Sequence, residues 1–335
     1  MIFLSYGTRT EWIKIQPVLE KLTIPHKVVF TGQHEDIAVG KYDERLHFPE
    51  CENRLDSAFA AVAASKNIFD DVNYVLVQGD TASALAMAMG AYHRRIKVIH
   101  LEAGLRSYNL DHPYPEEFYR KTITSIAYGH ICPTIYNAKN IEKERGHGSD
   151  KDLQVFVTGN TVCDNLTDLT PEYGSEILIT LHRRENHARL EEWFVALDAI
   201  AATNPDLTFT LPLHPNPNVQ KHKDVLKSVN VVEPMPYEEF ITRLSKCKFV
   251  ISDSGGIQEE SSFLRKKCIV CREHTERAEG LGAFARLCGS PEGLPFAFES
   301  VNRDYEVGEL ACPYGDGEAS GRVAQVLEML HEDFS

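Results

Sequence analysis

Short runs of aliphatic and β-branched residues recur along the chain, spaced to leave room for one helix between each pair. That is the pattern of strands buried on both faces of a parallel sheet. Residues 2–6, 27–30, 74–77, 98–101 and 155–158 read as strands in the first half, and 177–181, 207–211, 229–232, 249–252 and 268–271 in the second. Between them, residues 82–93, 116–127, 190–202 and 237–247 carry apolar positions at helical spacing. The alternation predicts an α/β protein with helices covering parallel sheets. The series is too long for one comfortable sheet, and it is least cohesive over the polar stretch 168–175, which Pro171 and Gly174 interrupt. Two Rossmann-like domains with parallel sheets facing a central cleft are therefore expected, residues 1–168 and 169–316. The helical pattern of residues 317–331 is expected to pack back, as a terminal helix of about 317–335, on the first domain.

Composition narrows the partners. At 335 residues, 43% of them hydrophobic and 25% charged, the chain can bury a large core. A formal charge of -14 with no long basic run argues against nucleic acid or an anionic membrane as partner. An anionic ligand must then be held by local arginines and helix N-termini. The start Met1-Ile2-Phe3-Leu4-Ser5-Tyr6 lacks a basic flank and runs into Gly7-Thr8-Arg9, so it reads as a first strand rather than a signal peptide. No apolar stretch approaches the roughly 20 residues that span a bilayer. Eight scattered cysteines favour reduced thiols in the cytosol. The one close pair, Cys268-Ile269-Val270-Cys271, would face opposite sides of a strand and has no second pair or histidine cluster nearby, so no metal is expected. Gly280-Leu281-Gly282-Ala283-Phe284-Ala285 fits a loose dinucleotide pattern, but no strand leads into it; with no Walker A sequence either, no cofactor is expected.

Candidate chemistry collects after the strands. Asp253-Ser254-Gly255-Gly256-Ile257-Gln258-Glu259-Glu260 follows an apolar run and opens a helix. Two glycines allow close backbone approach, and the N–H groups and dipole of a helix start suit a diphosphate. The acids one turn on lie where an attached ribose would present its hydroxyls. The plainer alternative is a Ser/Gly helix cap. In the first half, Arg9, Glu11 and Lys14 follow the first strand, Gln78-Gly79-Asp80-Thr81 the third, and His100-Leu101-Glu102-Ala103-Gly104-Leu105-Arg106 the fourth, before Pro115-Glu116-Glu117 with Arg120. Singly, Asp80 reads as a helix cap, Glu102 as a loop carboxylate, and Glu116–Arg120 as a surface ion pair contributing under ~1 kcal/mol. Together, carboxylates near cations are what stepwise proton transfer at carbon requires, because their pKa values can be pushed apart. The second half adds His182-Arg183-Arg184-Glu185-Asn186, His214 and Arg277, which suit a phosphate or a sugar.

With these residues in place, the sequence resembles the bacterial non-hydrolysing UDP-N-acetylglucosamine 2-epimerases. The motifs run in order over essentially the whole chain: Gly7-Thr8-Arg9 with Lys14, Thr31-Gly32-Gln33-His34, Gly79-Asp80-Thr81, Glu102 to Arg106, Pro115-Glu116-Glu117 with Arg120, Thr158-Gly159-Asn160-Thr161, His182 to Asn186, His214 with Asn216, Asp253 to Glu260, Thr275-Glu276-Arg277, and Pro313-Tyr314-Gly315-Asp316-Gly317. The resemblance implies the GT-B fold and reversible inversion at sugar carbon 2 through a glycal. It implies acid/base roles for Asp80, Glu102 and Glu116, with His182 near the departing diphosphate. Arg9, Lys14, Arg120, His214 and Arg277 would contact substrate; Ser254, Gly255 and Gly256 the diphosphate; Glu260 the ribose; and Phe240 the uracil. The implied partner is a UDP-sugar, and the implied assembly a cytoplasmic homodimer. Thr10 and Ala278 stand where prolines are common in the family, and Leu181 replaces a small residue. Glu35-Asp36 changes a stretch that in bacterial members helps hold a second, activating UDP-sugar, with Gln33, His34 and Arg184 as the candidate allosteric residues. The neighbouring readings are an epimerase of UDP-linked 2,3-diacetamido uronic acids, a hydrolysing epimerase that releases N-acetylmannosamine, and a GT-B glycosyltransferase. The last accounts for a nucleotide site but not for three acids.

Overall fold

A computed structural model describes residues 1–34, 40–65, 67–145 and 153–332. Its first sheet contains β1 (Ile2–Tyr6), β2 (His26–Phe30), β3 (Glu44–Arg45), β4 (Tyr74–Gln78), β5 (Lys97–Leu101), β6 (Gly129–Cys132) and β7 (Gln154–Val157). Their spatial order is β3-β2-β1-β4-β5-β6-β7, and every pairing is parallel. The second sheet contains β8 (Glu176–Thr180), β9 (Thr208–Pro212), β10 (Asn230–Val232), β11 (Phe249–Ser252), β12 (Cys268–Val270) and β13 (Ala285–Leu287). Its order is β10-β9-β8-β11-β12-β13, again all parallel. Both are Rossmann-like sheets, as the GT-B expectation requires. In each, the strand order reverses beside the first strand, between β1 and β4 and between β8 and β11, where ligands bind in such sheets.

The chain divides into two compact units, Met1–Asn165 with Gly317–Ser335, and Leu166–Asp316. The first strand of the first unit is buried along its whole length, because helices cover both faces of the sheet. Helix Ala82–His93 reaches the sheet closely through small residues, with Ala82, Ser83, Ala84, Ala86 and Ala88 all buried. Helix Ala319–Glu332 belongs to the first unit. Its Val323, Ala324, Leu327 and Leu330 join the core around Ile2, Leu4 and Ile15. Asp164 fixes its start, accepting from Ala319 N at 3.1 Å and Ser320 N at 2.7 Å.

Three strands depart from the hydrophobic pattern. β3 is two residues long, β6 begins at a glycine and buries His130, and β13 carries Arg286 at its centre. Each is recruited by neighbouring backbone rather than by an apolar run of its own. The polar stretch 168–175 is tied to the second unit, where Glu172 N donates to Ser245 O at 2.8 Å and Gly174 N to Lys246 O at 2.9 Å.

Candidate functional site

In the first unit the site is assembled at the carboxyl ends of β1, β4 and β5. Thr8 and Glu11 form a capping box on helix Arg9–Leu19. The Glu11 carboxylate accepts from Gly7 N at 2.8 Å, Thr8 N at 2.6 Å and the Thr81 hydroxyl at 2.7 Å, so it joins the loops after β1 and β4. Burial pushes its pKa up to about 7 against those hydrogen bonds. Glu11 is thus a brace. Arg9 starts the same helix, and one turn on the buried Lys14 ion-pairs with the buried Glu102.

Glu102 also accepts from Gln78 Nε2 at 2.5 Å. It holds a φ of +66°, a left-handed conformation that costs a glutamate energy and persists only where its surroundings impose it. Here the imposed turn aims its carboxylate at Lys14 and Gln78. Asp80 follows Gly79, whose φ is +68°. The reading of Asp80 as a helix cap is corrected: Thr81 caps helix Ala82–His93 by accepting from Ala84 N at 3.0 Å. Asp80 instead takes Arg120 Nη1 at 2.6 Å. Arg120, only 1% exposed, reaches Glu117 Oε2 as well, at 2.7 Å through Nη2. The surface-pair reading of Arg120 is likewise corrected, since this arginine is buried between two carboxylates. Glu116 is half-buried at the first position of helix Glu116–Ile126.

Gln78 and Glu117, named in the candidate stretches without a role of their own, also support this site, and so does His100. His100 is fully buried, and desolvation pushes its pKa down to about 4. The neutral ring therefore donates through Nε2 to the Gly79 carbonyl at 2.8 Å, fixing the turn that carries Asp80. The only sequence signal was its place two residues before Glu102.

In the second unit Asp253 follows β11 and is fully buried. Its Oδ2 accepts from His182 N at 2.9 Å, Arg183 N at 2.8 Å and Asn186 Nδ2 at 3.0 Å. The His182 and His214 rings stack with centroids 4.9 Å apart and planes 12° apart. His214 Nδ1 accepts from Asn216 N at 3.1 Å. Burial lowers both histidine pKa values; Asp253 opposes this at each, while Arg183 and His214 reinforce it at His182.

Helix Gly255–Phe263 starts after Ser254, whose hydroxyl makes no capping bond. The helix start is thus not closed by its own cap. The two glycines differ. A Cβ on Gly256 would meet nothing within 4 Å, whereas one on Gly255 would lie 2.5 Å from Arg277 Nη1. Arg277 is buried under the helix start, paired with Glu259 Oε1 at 2.9 Å and with Glu276. Arg272 extends the cluster to Glu276 at 3.1 Å and Glu185 at 3.3 Å. Glu260 accepts from Tyr237 hydroxyl at 2.8 Å, and Phe240 packs half-buried against the apolar cluster that includes Ile241, Leu244 and Ile257.

Gln33 accepts from Ser83 N at 3.1 Å and Ser83 Oγ at 2.8 Å, and His34 N donates to Gly7 O at 3.1 Å. Arg184 is exposed at the start of a 3-10 turn in the second unit. Glu35 and Asp36 lie outside the described residues. Cys268 and Cys271 are buried, with thiol pKa values raised by burial. Among the described residues no group of His, Cys, Asp and Glu is arranged to hold a metal, and no helix is long and apolar enough to cross a membrane.

Residues 18–328 match the family model described as UDP-N-acetylglucosamine 2-epimerase. A UDP-N-acetylglucosamine 2-epimerase from Campylobacter jejuni is 35% identical, with 97% of each chain covered. The crystal structure of UDP-GlcNAc 2-epimerase from Neisseria meningitidis bound to UDP-GlcNAc superposes with a TM-score of 0.88 at 32% identity, covering 98% of this chain and 99% of that one. UDP-GlcNAc 2-epimerase from Methanocaldococcus jannaschii, in complex with UDP-GlcNAc and UDP, superposes with a TM-score of 0.80 at 26% identity, covering 98% and 99%.

Proposed function

The chain belongs to the UDP-N-acetylglucosamine 2-epimerase family, and on that premise we propose that it interconverts UDP-N-acetylglucosamine and UDP-N-acetylmannosamine. UDP leaves by anti elimination across carbons 1 and 2, a glycal stays bound, and UDP adds back after carbon 2 is protonated on its other face. One observation carries the proposal: Glu102 with Lys14 and Asp80 with Arg120 lie at the β5 and β4 ends, and Glu116 opens the helix that carries Arg120. Proton abstraction beside an anomeric centre needs a base on one face and an acid on the other, and Asp80, Glu102 and Glu116 are the candidates.

The second unit suits the leaving group. Bond cleavage builds negative charge on a diphosphate, which a helix N-terminus and nearby cations stabilise. We assign Ser254, Gly255 and Gly256 to the diphosphate, His182 and His214 to its departing end, Glu260 to the ribose and Phe240 to the uracil. Arg9 is assigned to the substrate. Lys14, Arg120 and Arg277 are assigned to the substrate as well, beside their ion pairs with Glu102, Asp80 and Glu259. The reading includes a cytoplasmic homodimer, supported by the family resemblance and measurable by light scattering.

The test is incubation with UDP-N-acetylglucosamine alone in deuterated water. Deuterium should appear at carbon 2 as UDP-N-acetylmannosamine forms. Free UDP accumulating with N-acetylmannosamine would indicate hydrolysis, an acceptor requirement would indicate glycosyl transfer, and no epimer from any UDP-N-acetylhexosamine would sink the reading.

A further inference from the structure

We infer that Asp253 is the positioning residue of the His182 imidazole, holding it as the tautomer that carries its proton on Nδ1 and presents Nε2 to the leaving diphosphate. The inference deepens the proposed function and rests on the place it gives His182. Its evidence is the unequal use of the two carboxylate oxygens. Oδ2 is saturated by the backbone N–H groups of His182 and Arg183 and by Asn186 Nδ2. Oδ1 is buried, has no hydrogen-bond partner among the described residues, and lies 3.9 Å from His182 Nδ1. A buried carboxylate oxygen without a partner is costly, and the His182 Nδ1–H is a donor that a small shift of the ring brings to it. The ring has little freedom to turn away. His214 lies stacked on it, and the carbonyl of His182 itself is held by His187 Nε2 at 3.0 Å.

The groups around the ring are Asp253 from the end of β11, Arg183 and Glu185 from its own loop, and His214 from the loop after β9. Burial, Arg183 and His214 all discourage protonation; Asp253 is the larger of the two opposing influences, and Glu185 is partly committed to Arg272. In the elimination direction the imidazolium gives its Nε2 proton to the β-phosphate oxygen as the bond to carbon 1 breaks and its electron pair stays on that oxygen. In re-addition Nε2 takes the proton back. Throughout, Nδ1–H remains directed at Asp253.

Asp253→Asn is a selective test because three donors converge on Oδ2. The amide oxygen must take that place, which leaves the NH₂ group facing His182 Nδ1. Nδ1 then becomes an acceptor, the proton moves to Nε2, and the imidazolium loses its partner. We expect a folded variant that binds UDP within a few-fold of wild type, turns over at least ~10²-fold more slowly, and has the alkaline limb of its kcat profile moved to lower pH. Nitrogen-15 NMR of labelled histidines should find the Nδ1–H tautomer of neutral His182 in the wild type and Nε2–H in the variant. A merely structural aspartate would move neither the limb nor the tautomer. An unchanged limb and tautomer in folded Asp253→Asn would overturn the inference. So would an Nε2–H tautomer in the wild-type protein, a result that does not depend on any variant folding. Failure of the epimerase reading is separable, since the tautomer is read without turnover.

Discussion

Replacing Gly255 and Gly256 by alanine, one at a time, should separate support of the helix start from the use made of it. At Gly255 the new Cβ would sit 2.5 Å from Arg277 Nη1, 2.9 Å from Glu276 Oε1 and 3.0 Å from Arg277 Cζ. The guanidinium cannot retreat freely, because it is buried and held by Glu259 at 2.9 Å and by Glu276. Overpacking of this kind costs ~1–3 kcal/mol. Parting a buried ion pair outright costs ~3–5 kcal/mol, while alanine returns ~0.4–1 kcal/mol by restricting the unfolded chain. A net loss of about 2 kcal/mol corresponds to a Tm lowered by roughly 4–8 °C for a unit of this size. At Gly256 nothing lies within 4 Å, so Gly256→Ala should melt at or slightly above the wild-type temperature. Its Cβ would fill the space assigned to the diphosphate. Losing one or more charge-assisted backbone hydrogen bonds, at ~1.5–3 kcal/mol each, weakens UDP by about 10- to 100-fold. Thermal unfolding and calorimetric titration with UDP measure both effects. Wild-type UDP affinity in Gly256→Ala would refute the diphosphate site. A wild-type Tm in Gly255→Ala would show that the arginine cluster yields without cost.

Asp80→Asn, Glu102→Gln and Glu116→Gln should each slow epimerisation by at least ~10²-fold with UDP binding retained; near-wild-type turnover in all three removes the mechanism, and lost UDP binding reassigns the acids to structure. Glu102→Gln should also lower Tm, because it breaks a buried ion pair with Lys14. Glu11 predicts a pH dependence of stability: its folded pKa, about 7, lies above the 4.5 of an ordinary glutamate, so the folded protein binds that proton more tightly than the unfolded chain. The stability gained is full below the unfolded pKa and is lost as pH rises through the folded one. Glu11→Gln should flatten the fall in Tm between about pH 5 and pH 8, and an unflattened curve would mean that other groups set it.

Sequence pattern was enough for the two Rossmann-like sheets, because strands buried on both faces must be continuously apolar and their helices must show a period of 3.6. The places of the charged residues after β1, β4, β5, β8 and β11 followed from the same reading, since a strand end is visible wherever an apolar run stops. β6 was not visible, because a glycine start and a buried histidine break its run.

What only the tertiary structure decided is which partner each charge takes. Spacing alone does not say that Arg120 joins Glu117 to Asp80, 40 residues away from it. Lys14 meets Glu102 across 88 residues, and Asp253 meets His182 across 71. Gly255 and Gly256 are the same letter in sequence, yet one is backed by Arg277 and the other faces open space. The reason is physical: hydrophobic periodicity records whether a residue faces the core of its own element, whereas charge pairing depends on strand order and register, which bring distant loops to one sheet edge.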